Sequence, residues 1–126
     1  MKVAALIARL LLGLVFLVFG LNGFLNFLPL PALTGLAGQF IGVLAASHFM
    51  LFVFTLETLG GLLLLVNRFV PLALVLLGPV IVSIFLFHAL LDRAELGLAV
   101  VVVALWTIVA ASNREHLVGI FRHRTG

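Results

Sequence analysis

The residue best placed to do chemistry in this sequence is Glu57, set inside the apolar run "FTLETLGGLLLL" (residues 54–65) with Gly60 and Gly61 directly behind it. An ionised side chain at the centre of hydrocarbon costs about 2.5–3.5 kcal/mol on insertion scales. Two physical solutions exist: the acid keeps its proton, or a buried cation holds it ionised. Arg9 is the natural cation, permanently charged and some turns into the first apolar stretch. At about 100° per residue, Arg9, Gly13, Phe16 and Gly20 fall on one helical stripe, and Glu57, Gly61, Leu64 and Arg68 on another. Small residues on such stripes let helices approach closely. The expectation is therefore a Gly13/Gly20 face against a Gly61 face, with Arg9 aimed at Glu57 as an intramembrane ion pair. The competing expectation is that Arg9 snorkels to the headgroups and Glu57 is a neutral interhelical hydrogen bonder.

Asn22 and Asn26 lie one turn apart toward the far end of the same first stretch. His88 lies about one turn from the corresponding end of the third stretch, with Ser83 deeper. By depth, Asn22, His88 and Ser83 could line a polar pocket with Glu57 at its floor. A ring with polar edges, such as a quinone, would suit it; interhelical glue is the plainer role for each residue alone. A haem would need axial ligands at matching depth, which His48 and His88 offer only if His48 lies within its span. His116 and His123 have no carboxylate or thiol at ligand spacing, so no metal site is expected. No nucleophile–base–orienter set and no Gly-rich phosphate loop is visible, so no catalytic residue is assigned. With no cysteine in the chain, thiol redox chemistry, disulfides and iron–sulfur clusters are excluded.

The elements that must position these residues are apolar throughout. Of 126 residues, 65% are hydrophobic and 9% charged, and the mean hydropathy is +1.44. That leaves too little polar surface to cover a water-soluble globule. Four stretches approach the length of about 20 residues that a bilayer crossing requires. They run over residues 3–28, 48–66, 70–91 and 93–112 of a single domain. Pro29 and Pro31 are expected to stop the first and Pro71 to sit in the first turn of the third. Gly78–Pro79 is expected to kink the third, and Asp92 with Glu95 resembles a capping box opening the fourth. The fold class is an all-α, four-helix membrane bundle. Residues 32–47 read as a short interfacial helix or lid between spans one and two, or as an apolar loop. The numerous Phe and Leu residues, and Trp106, read as packing and lipid contact.

Arg9 so early in the first stretch, and the lack of an A-x-A-like site, predict a retained span instead of a cleaved signal peptide. With four spans, Lys2, Arg9, Arg68, Arg114, Arg122 and Arg124 share one side and Arg93 stands opposite. The positive-inside rule makes the first side, with both termini and the basic tail 113–126, cytoplasmic. The bacterial inner membrane is the expected location. So strong a bias argues against dual-topology dimers, though other homo-oligomers remain open. The net charge of +3 resides mostly in flanks and tail, so the lipid bilayer, not nucleic acid, is the expected partner.

Two quoted runs, "ARLLLGLVFLVFGLNGFLNFLPLP" and "FMLFVFTLETLGGLLLLVNRFVPLALVLLGPVIVSIFLFH", resemble the DoxX family of small bacterial membrane proteins. The likeness covers about residues 8 to 91 and rests on an ordered set. Arg9 comes first, then Gly-Leu-Asn ending at Asn22, Glu57 with Gly60–Gly61, Asn67–Arg68–Phe69 with Pro71, and Phe87–His88. It implies a four-helix membrane bundle and an association with membrane oxidoreductases, among them a thiosulfate:quinone oxidoreductase. The chain would then be a subunit or accessory of a redox complex, with quinone as its implied ligand. Two positions depart from the family pattern: Phe54 stands where a basic residue is expected, and Ser83 where asparagine is. A proton-coupled transporter or channel using Glu57, and a non-catalytic scaffold assembled through Gly60 and Gly61, are the alternative functions.

Overall fold

The computed structural model of the chain describes residues 2–27, 33–91 and 96–119. Six helices follow in order: α1 Lys2–Leu25, α2 Gly35–Ala46, α3 Phe49–Val66, α4 Val70–Leu90, α5 Leu96–Ser112 and α6 Arg114–Val118. No strand occurs among the described residues. Three of the helices, α1, α3 and α4, are long and apolar enough to cross a membrane. The 17 residues of α5 are equally apolar and make a rod of about 26 Å. The 12 residues of α2 are too few to span.

Local chemistry explains the boundaries. The first helix stops at Leu25, three residues short of the expected end, because Asn26 turns left-handed (φ 53°). Its N–H still donates to the Asn22 carbonyl at 2.8 Å, closing the last turn. Left-handed His48 (φ 64°) precedes α3 instead of belonging to it. At the other end of α3, Asn67 is left-handed (φ 56°) and closes a Schellman motif. The Arg68 N–H donates to Leu63 O at 3.1 Å, and the Asn67 N–H to Leu64 O at 3.3 Å. Phe69, also left-handed (φ 52°), turns the chain into α4, where Pro71 occupies the first turn. The expected Pro29–Pro31 stop, the Asp92/Glu95 capping pair, Arg93, Arg122, His123 and Arg124 lie outside the described residues.

The four longer helices close into a ring: α1 packs on α3 and α5, and α4 packs on the same two. Leu12, Phe16, Leu64, Leu74, Leu77 and Val109 fill its interior. Leu14, Leu62, Val82 and Leu98 are exposed on the outside. A molecule apolar on both its inner and outer faces is solvated by lipid, so this is an all-α membrane protein. The tightest seam joins α1 to α3. A Cβ added at Gly61 would lie 2.5 Å from Leu17 N and 2.7 Å from Gly13 O, so glycine there lets the two backbones touch. On one side of the ring α2 rests against α3, and its Phe40 ring lies 5.9 Å from Phe87 of α4.

Candidate functional site

The register of the α1–α3 seam is antiparallel: Gly13 and Leu17 face Gly61, Gly20 faces Thr58, and Gly23 faces Phe54. That register brings Asn22 within about one helical turn of Glu57. Both are buried, with 4% and 7% of their surface exposed, and they are the buried polar side chains among the described residues. Glu57 occupies the stripe of α3 that turns inward. One turn along, Gly61 meets α1 and Gly60 meets Leu77 of α4. The carboxyl thus sits where α3 faces two neighbours at once.

No hydrogen bond or ion pair reaches the Glu57 carboxylate among the described residues. Neither of its oxygens is sealed off, however, since no fully enclosed side-chain oxygen or nitrogen lacks a partner there. One turn before it on α3, where the sequence resemblance implied a basic residue, Phe54 fills the space beside Gly23 and meets Phe24 edge-on at 6.1 Å. An aromatic ring there closes the seam without offering charge. The hydroxyl of Thr58 is spent locally, donating to Phe54 O at 2.8 Å.

Arg9 stands elsewhere than toward Glu57. Its Nη1 donates to Leu64 O and, at 3.5 Å, to Leu65 O. These carbonyls belong to the last turn of α3, where helical donors run out and the dipole is negative; Leu64 O takes the guanidinium as a second donor beside the Asn67 N–H. A guanidinium in a bilayer finds that helix end a better partner than a carboxylate about 10 Å further along the seam. The structure therefore puts Arg9 at the end of α3 in place of the expected ion pair.

His88 and Ser83 also stand apart from Glu57. With Gly60 facing Leu77, Glu57 is level with about Val80, and His88 lies about 12 Å further toward the end of α4. His88 is half-buried, with its ring edge-on to Phe87 at 5.2 Å. Ser83 is exposed on the outer face of α4. His48 is exposed at the mouth of α3, not within the span as the haem reading required. Two cavities lie away from Glu57. One, about 360 Å³, is a side groove between α4 and α5 bounded by Gly78, Phe85 and Trp106; the other lies between α2 and Leu91.

Trp106 has a polar role that its apolar surroundings concealed. Its Nε1 donates to Leu74 O at 3.0 Å. That carbonyl neighbours Val75 O, the one that Pro79 leaves without a helical donor, so the indole ties α5 to the turn of α4 next to the proline. A lone tryptophan within an apolar helix needs an acceptor for its N–H, which is the sequence signal for such a bond.

Among known proteins, the family model described as DoxX matches residues 4–89, nearly all of α1 through α4. The matched range includes Arg9, Asn22, Glu57 and His88, and leaves out α5 and α6. No curated protein and no solved structure matches the chain.

Proposed function

The chain belongs to the DoxX family, and on that premise we propose that it is a subunit of a membrane oxidoreductase complex in which Glu57, with Asn22 beside it, contacts a quinone or the quinone site of a neighbouring subunit. In this reading α5 is the fourth span, both termini lie on the cytoplasmic side of the bacterial inner membrane, and α2 lies at the opposite interface. The observation that carries it is Glu57 itself: buried, without a protein partner among the described residues, yet reachable at its oxygens. An intramembrane acid that no neighbouring residue satisfies is a functional group by default. Quinone reduction consumes two electrons and two protons. The electrons would come from a partner subunit; with no cysteine, this chain offers neither a thiol pair nor an iron–sulfur centre. Glu57 holds or passes one of the two protons, the other being supplied by the partner, and buried Asn22 lies beside it as a polar wall of the site.

A second reading, a proton-coupled transporter or channel, rests on the same buried acid, which would cycle its proton across the membrane. One experiment separates the two. The protein is purified with its native lipids and partners, then assayed for quinone content and quinone-coupled electron transfer. A second sample, in proteoliposomes, is assayed for proton flux. The redox reading expects bound quinone or a redox partner, electron transfer reduced at least about tenfold by Glu57→Gln, and no flux. Flux abolished by Glu57→Gln, with neither quinone nor redox partner recovered, establishes the transporter reading instead.

A further inference from the structure

The opposite end of the α1–α3 seam carries charge that the Glu57 chemistry does not use. Arg9 engages the last turn of α3 through Nη1 alone. Its Nε and Nη2 have no acceptor among the described residues. Those two nitrogens form one edge of the guanidinium, the fork that matches two oxygens of a phosphate. The contacts to Leu64 O and Leu65 O hold the guanidinium in place, so the fork is presented ready-made.

Arg68 enters at the same place. Its backbone N–H is tied to Leu63 O in the Schellman turn, and its side chain is exposed. Lys2, at the start of α1, lies at this end of the antiparallel seam as well. No protein anion among the described residues answers these cations. The described acidic residues are Glu57, about two turns up the seam, and Glu115 on α6. Neither forms an ion pair with Arg9 or Arg68 among the described residues. The surface around them is apolar, with Leu6, Leu10, Val66 and Phe69 all exposed.

We propose that Arg9 and Arg68 bind the phosphate of an anionic membrane lipid at the interface where α3 ends, with its acyl chains lying along the exposed apolar residues beside them. Both halves of the ligand are specified: the fork and the second guanidinium select a phosphate with net negative charge, and the apolar rim selects a lipid over a free phosphate ion. The site shares no residue with Glu57 and stands or falls independently of the redox reading.

Native mass spectrometry of the full chain tests this, using mixed micelles of equal phosphatidylglycerol and phosphatidylcholine. The expected result is retention of phosphatidylglycerol over phosphatidylcholine by about fivefold or more, the scale of one basic residue at an anionic surface. Arg68→Gln, which touches no helix-capping bond through its side chain, is expected to remove most of that preference. Arg9→Lys, which keeps charge but loses the fork, is expected to weaken it. Equal retention of the two lipids, or a preference unchanged by both substitutions, overturns the proposal. So does displacement of the lipid by millimolar inorganic phosphate, which would assign the site to the free ion.

Discussion

Where α3 ends, Arg9 donates hydrogen bonds to Leu64 O and Leu65 O, and a Schellman turn satisfies Leu63 O and Leu64 O beside it. About 10 Å along the same seam Glu57 is buried against α1 and α4, and no side chain among the described residues answers it. Both residues are charged types in an apolar setting, yet one completes the backbone of a neighbouring helix and the other completes nothing among the described residues. A group that satisfies an orphaned helix end is explained by folding. A group that leaves its own cost unanswered has to be explained by what it binds or transfers.

This contrast fails first if the seam itself is not the scaffold for both residues. Gly61→Leu is expected to have the largest effect, about 3 kcal/mol or more, because the added carbons meet the backbone of Leu17 and Gly13, which cannot swing aside. Reversible unfolding in mixed micelles would measure it. Gly60→Ala should cost less, since its nearest neighbour is the side chain of Leu77. If the order is reversed, the α3–α4 contact and not the α1–α3 seam holds the site.

Arg9→Gln comes next, at about 2 kcal/mol, from loss of charge-assisted bonds to the last turn of α3. Hydrogen exchange should rise at the amides of Asn67 and Arg68, which share that turn, and stay unchanged near Glu57. Raised exchange around Glu57 instead would restore the ion pair between the two and dissolve the contrast.

Much of this architecture is written in the sequence at the level of period and length. Apolar runs near spanning length located α1, α3 and α4, and the small residues on their stripes pointed to close approach. Partner choice was not legible. Stripe arithmetic put Arg9 and Glu57 on facing helices but carried no axial register, and that register is set by which glycine meets which backbone. Ser83 was placed by depth alone, and its exposure depends on the rotation of α4 about its axis, which a helix apolar on every side does not reveal. Composition places the end of α1 near the proline pair, whereas left-handed Asn26, which no pattern marks, ends the helix at Leu25.

Trp106 shows the same limit and supplies a smaller test. Trp106→Phe keeps an aromatic ring beside Gly78 but removes the bond to Leu74 O. A loss of about 0.6–1 kcal/mol is expected, the usual scale of a side-chain hydrogen bond between membrane helices. The change should be confined to α4 and α5, away from the α1–α3 seam. A larger loss that also reached α1 would mean that the turn next to the proline helps position the seam.

Glu57→Gln is expected to change stability least and is the sharpest test for that reason. The substitution keeps shape and removes only the ability to ionise, so no bond among the described residues is lost. Stability should remain within about 0.5 kcal/mol, or rise if the native carboxyl is charged, because an uncompensated charge would then be gone. Function, by contrast, should fall with the proton site. Destabilisation comparable to Arg9→Gln would show that Glu57 is held by a partner after all, and the two ends of the seam would then be two caps of one structural device. A stable, folded and inactive variant would leave Glu57 with one remaining explanation: the carboxyl is retained for what it exchanges with molecules outside the chain.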